Sequence, residues 1–159
     1  MGARSENLAK QFEAKAAEAT SVFEKISDAD WKKVTAAEKW PVGVTAHHVA
    51  VSHEYIAQLV KSVASGQAGS PIKMDDVHAS NAKHAREQAN CTKSETLAAH
   101  KKGASAAAAI VRGLNDADLD KAAPVLVGMP PMSAEQLTSG LLVGHINEHL
   151  GSIRATVGG

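Results

Sequence analysis

An all-α four-helix bundle is the fold this sequence predicts, and three observations carry that prediction. Apolar residues recur at spacings of three and four through long stretches, the period of one helix face. Ser/Thr-x-x-Glu/Gln boxes stand where several of those stretches begin, as helix N-termini require. Alanine is abundant and aromatic residues make up only 3% of the chain, which favours closely packed helices over a β-rich domain. Four main helices of roughly sixteen residues or more, with short connections, follow from the pattern. The chain has 159 residues, enough for a hydrophobic core, and residues 1–159 are expected to form a single domain.

The first helix is expected over residues 5–26, with Leu8, Phe12, Ala16, Ala19, Phe23 and Ile26 on its inner face. Ser27-Asp28-Ala29-Asp30-Trp31 has cap-type residues and should start a short turn. Thr35-Ala36-Ala37-Glu38 also fits a capping box, just before Trp40-Pro41. Trp31 and Trp40 are expected to plug the end of the bundle. The next helix should run from about Val42 to Ser65. On a wheel of about 100° per residue, Val44, Tyr55, His48, Leu59, Ser52, Val63 and Ile56 fall in one stripe. His48 sits in the middle of it, His53 at its border, and His47 on the polar side with Glu54 and Gln58. A loop follows at 66–71, where glycine and proline cluster.

Residues 74–90 read as helical with an unusual face. Met74, Val77, Asn81, His84 and Gln88 lie together. They could wall a cavity, or they could face solvent while Ala79, Ala82, Ala85 and Ala89 pack; the residues alone lean slightly to solvent. Thr92-Lys93-Ser94-Glu95 caps the next helix, whose apolar positions are Leu97, Ala104, Ala108, Val111 and Leu114. His78 and His100 have no partner at ligand spacing and are expected at the surface. Cys91 is expected to fill the junction. Ser133-Ala134-Glu135-Gln136 opens the last long helix, about 134–156.

On that helix His145 and His149 lie four residues apart, so their imidazoles can meet one ion. An unbroken wheel from Leu137 puts both inside the apolar arc. Buried imidazoles need polar partners. A shared metal would satisfy both, as would two ordinary core hydrogen bonds. His48 is the natural third ligand, because it faces inward on another helix. Glu148, near Leu137 and Leu141 on the wheel, could support the ligands or act as a base.

His145-Ile146-Asn147-Glu148-His149 also matches the H-x-x-E-H of inverted zinc proteases. Those enzymes are much larger, and few residues follow here to supply the carboxylate ligand they need. A di-iron carboxylate site would require inward glutamates on the second helix, and there are none. No nucleophile turn or glycine-rich phosphate loop is present. Lysine plus arginine equals aspartate plus glutamate at 17 each, which gives no electrostatic case for nucleic acid or anionic membrane. One cysteine allows no internal disulfide. No apolar run could span a bilayer, and the N-terminal residues lack a signal-peptide core, so a cytoplasmic location is expected.

The residues carry a family resemblance. Trp40-Pro41-Val42-Gly43-Val44-Thr45-Ala46-His47-His48 and Gly144-His145-Ile146-Asn147-Glu148-His149 resemble the W-x₇-H and H-x₃-H segments of the DinB/YfiT-like superfamily, bacterial metal-binding four-helix bundles. The resemblance implies His48, His145 and His149 as ligands, between the second and last main helices. It implies a divalent ion, zinc or nickel first and iron as a further option, and a homodimer. It also raises the case for Asn81 and His84 facing a pocket. Relatives include mycothiol-dependent maleylpyruvate isomerase and bacillithiol S-transferases, which activate a low-molecular-weight thiol. The resemblance therefore implies a metal-dependent thiol transferase acting on a small molecule. Hydrolysis by metal-bound hydroxide and a non-catalytic metal-binding stress or sensor role stand beside it.

Overall fold

The computed structural model describes residues 2–67 and 69–158. Met1, Gly159 and Ala68 of the expected 66–71 loop lie outside the described residues. Seven α-helical segments follow in order: α1 (Ala3–Lys25), α2 (Asp28–Trp31), α3 (Val42–Ala64), α4 (Met74–Glu87), α5 (Lys93–Arg112), α6 (Ala134–Leu137) and α7 (Gly144–Val157). A π-helical stretch, Thr138–Val143, joins α6 to α7 as one long helix. Between α5 and α6 lie a 3-10 turn, Asp116–Asp120, and two short antiparallel strands, β1 (Ala122–Ala123) and β2 (Met132–Ser133).

The fold is an all-α bundle. Its members are α1, α3, α5 and the joined α6–α7. The α5 helix and the C-terminal helix each pack against both α1 and α3, so α1 and α3 face one another across the core. All six apolar positions expected on α1 are buried, Phe12 and Phe23 completely. Asp116 explains why α1 begins at Ala3, earlier than the periodicity suggests. Its carboxylate accepts from the backbone N–H groups of Arg4 and Ser5 at 3.1 and 3.0 Å, partners that a helix N-terminus otherwise lacks. The capping boxes at Thr92 and Ser133 form as expected, each hydroxyl accepting from the N–H three residues on.

The fifth long helix, α4, is not a bundle member. None of its residues is fully buried. It lies along α3, and the segment leading into it is tied down by Ile72. The Ile72 N–H donates to Val125 O, and its carbonyl accepts from Val127 N–H, both at 3.0 Å. Among the described residues no helix is long and apolar enough to cross a membrane.

The box expected at Thr35–Glu38 caps no helix. The segment is a turn, closed by Thr35 N–H donating to Trp40 O at 2.8 Å and Lys39 N–H to Thr35 O at 3.0 Å. Lys39 takes the left-handed conformation, φ 62°, which no helix interior allows. The tryptophans are half-buried lids, not core plugs. The Trp31 indole lies over Gly43, where a Cβ would collide with the ring, and its N–H donates to Cys91 O at 3.0 Å. Cys91 fills the junction as expected, its thiol donating to Gly43 O at 3.3 Å.

Candidate metal centre

Pro41 stands at the N-cap of α3, where its missing N–H costs no helical hydrogen bond. His48 therefore projects into the bundle from the second turn of a helix whose entry is clamped by Trp31. His145 and His149 come from α7, and the π stretch sets their direction. Upstream, the buried positions are Ala134, Leu137 and Thr138; downstream they are Ile146, His149, Leu150 and Ile153. On one unbroken wheel the two sets are centred about 100° or more apart, the rotation of roughly one residue. A π turn bonds i to i+5 and so absorbs one additional residue. Glu148 is exposed, the surface position expected of a glutamate, and is not one of the clustered residues.

The structure brings His48, His145 and His149 together. One nitrogen from each lies within 4.8 Å of the others, close to the reach of two zinc–nitrogen bonds of about 2.0–2.1 Å. His48 Nε2 and His145 Nε2 face each other at 2.9 Å. Two N–H groups cannot meet that way, so the pair needs either one intervening proton or a common cation. His145 Nδ1 is buried with no partner. His149 Nδ1 meets Glu38 Oε2 at 3.3 Å, and Ser152 donates to Glu38 Oε1 at 2.5 Å. A carboxylate on Nδ1–H leaves the Nε2 lone pair of His149 free for a ligand, the usual support for a metal-binding histidine. Trp40 covers His48 edge-on at 5.3 Å between ring centres.

Burial pulls His48 down to about 3 and His145 to about 2, with the neighbouring histidines adding repulsion. Both are held as neutral imidazoles, the form that ligates metals. Among the described residues no fourth histidine, cysteine or carboxylate joins the group. The residues fit a divalent cation.

Beside the cluster a cavity of about 420 Å³ opens between α3 and α4, with His48, Ser52, Tyr55, Asn81 and His84 in its wall. Of the two readings open for residues 74–90, the structure takes the cavity wall, against the slight lean of the residues alone. Asn81, His84 and Gln88 are half-buried, while Ala79, Ala82 and Ala89 are exposed. The cavity also explains Tyr55, which the α3 stripe placed in the core and which is 56% exposed. His47 is not simply solvated. Its Nδ1 lies 2.8 Å from His84 Nε2, with the rings stacked. Burial lowers both of these histidines.

His100 and His53 form a second pair. Both are 1% exposed, against the surface position expected for His100. His53 Nε2 lies 2.9 Å from His100 Nδ1, and His100 Nε2 donates to Ala16 O at 2.9 Å. Phe12 and Phe23 pack edge-on against the two rings. Gly103 allows this close approach of α5 to α3: a Cβ there would come 2.9 Å from Ala50 O. His78 is exposed, as expected.

Sequence reasoning missed Glu38 and the His53–His100 pair. Glu38 stands in a Thr-x-x-Glu sequence that reads as a helix cap and forms a turn instead. Its neighbour Trp40-Pro41 was the usable signal, because a turn leading straight into the His48 helix must pass the site.

The fold and the three-histidine group define a helical bundle able to hold a metal ion. A model of the DinB superfamily matches residues 11–153, and the chain belongs to that superfamily. Comparison with curated proteins and with solved structures finds no match.

Proposed function

We propose that the protein is a metal-dependent transferase that presents a small thiol to an electrophile at the His48, His145, His149 site. The observation that carries this reading is an incomplete ligand set beside a cavity. Three protein ligands with an open position are the catalytic pattern, whereas structural zinc sites are usually closed by four. A divalent ion bound there would supply the Lewis acidity that holds a thiol as its thiolate. The chain's own groups do the rest. His48 and His145 stay neutral and keep their lone pairs for the ion. Glu38 orients His149. Trp40 shields His48 from water, and the α3–α4 cavity receives the reacting partner. In the transfer the sulfur–carbon bond forms, the leaving group departs with its electron pair, and the thiol proton passes to solvent.

The test is turnover of a model aryl halide by zinc- or nickel-loaded protein across a panel of thiols. Thioether formation that needs both thiol and metal, and disappears in His149→Ala, is expected. Ester or amide cleavage without any thiol would overturn the transferase reading in favour of hydrolysis. Stoichiometric metal with no turnover of either kind would point to a non-catalytic metal-binding protein.

A further inference from the structure

The cavity beside His48 carries information about charge that the histidines do not. Ser52, Tyr55, Ser80, Asn81 and His84 bring hydroxyl, amide and imidazole groups to its wall, and Asp76 is its one carboxylate. No lysine or arginine lines it among the described residues. Asp75 and Asp76 both stand in the first turn of α4, where the helix dipole favours an anion. Only Asp76 borders the cavity, and it forms no ion pair among the described residues. Its charge therefore acts on whatever the cavity holds. Beside the apolar Val51, Ile72 and Val77 the wall offers hydroxyl, amide and imidazole groups, and its side chains supply no cation; an ion held at the histidines would attract every thiolate alike and leaves Asp76 to distinguish the arms.

We propose that the cavity discriminates the arm of the incoming thiol by charge, with Asp76 as the specificity-determining residue. Arms that are cationic, or neutral and rich in hydroxyl or amide groups, are favoured over carboxylate-bearing arms. This rests on the thiol reading of the metal site for its ligand, though not for its electrostatics. Unit charges several ångströms apart at a wet surface interact weakly, and salt weakens them further. The discrimination between a cationic and an anionic arm is roughly threefold to tenfold.

Two measurements test it. In the first, calorimetry on the metal-loaded protein compares cysteamine, mercaptoethanol and mercaptopropionate, which share a short alkyl arm and differ in its terminal charge. The readout is how the ratio of cysteamine to mercaptopropionate affinity changes in Asp76→Asn, which cancels the different acidities of the thiols. A roughly threefold to tenfold fall in that ratio is expected, and an unchanged ratio overturns the proposal. In the second, Ser52→Cys places a thiol on the α3 wall of the metal-free full chain. Methanethiosulfonates bearing a trimethylammonium, a methyl or a sulfonate group then modify it, with the parent protein as control for Cys91. Relative to free cysteine, the cationic reagent should gain several-fold over the anionic one, and Asp76→Asn should abolish the gain. Rates in the ratio of free cysteine, or a preference for the anion, overturn the proposal. If no thiol binds in the first experiment while the second shows the cationic preference, the thiol reading of the metal site fails and the charge selectivity stands.

Discussion

Two groups of inward-facing histidines sit a short distance apart in this bundle, and they differ in how their nitrogens are satisfied. His53 and His100 form a closed chain. One imidazole bonds the next, the second donates to Ala16 O, and two phenylalanines seal the rings. Nothing in that arrangement asks for a ligand. His48, His145 and His149 are open. Two Nε2 atoms face each other, one Nδ1 is orphaned, and one imidazole is propped by a carboxylate from behind. Burial alone does not separate a structural histidine from a ligand, since His48 and His149 are buried as His53 and His100 are, and His145 is half-buried. Counting donors and acceptors does.

The contrast can be broken most directly by removing ligands. His145→Ala or His149→Ala should weaken zinc binding by more than about 100-fold, whereas His53→Asn should keep one ion per chain. Metal analysis after dialysis reads this, and full stoichiometry in both alanine variants would break the distinction. The next largest effect belongs to the closed pair. His100→Leu strands His53 and the Ala16 carbonyl, and should cost about 2–3 kcal/mol in urea unfolding with metal binding retained. A loss under about 0.5 kcal/mol would mean the pair is not a supporting element. Glu38→Gln sharpens the open group. It keeps the size of the side chain but weakens the acceptor for His149, and should reduce metal affinity by about 10-fold to 100-fold in a chelator competition, with no change for Glu148→Gln. Equal effects of the two substitutions would remove Glu38 from the site.

The smallest effect is in pH. Burial holds His53 at about 3 in the folded chain, against an ordinary 6.5. Above pH 6.5 neither state binds a proton there. Below it the unfolded chain does and the folded chain does not, so stability falls as pH falls through that window toward 3. Between pH 6.5 and 5.5 this one group should remove roughly 1 kcal/mol or less from the metal-free protein. The gap between urea midpoints at the two pH values should narrow in His53→Leu by about this amount, the rest coming from the other buried histidines such as His48 and His145; an unchanged gap would show that His53 does not contribute.

The legible part of the site was the part written in helical periodicity. His48 lies inside one apolar stripe, and His145 and His149 share one face at the spacing of a turn, so wheels pick them out. The four bundle helices were legible for the same reason, as were the caps at Thr92 and Ser133. What periodicity could not see was anything depending on two elements at once. His53 and His100 are 47 residues apart, and their pairing follows from the packing of α5 on α3 across Gly103. Glu38 sits in a turn, where no period operates. The π stretch hid in a helix that looks continuous. Gly140 and Gly144, both weak helix formers, bracket most of it and were the trace it left in the sequence. The inward face of α4 was ambiguous because a cavity wall and a solvated face use the same residue types.

The peripheral position of α4 has a consequence for how the cavity fills. One wall, α3, is packed between α5 and the C-terminal helix of the bundle. The other has no fully buried residue and is tied at its entry chiefly through Ile72. Local opening free energy follows buried apolar contact, so it is far lower for α4 than for the core. The two walls thus differ in the work needed to part them. Of the two walls α4 is the one that yields at the lower cost, and all three histidines stand on the other side, on the bundle helices.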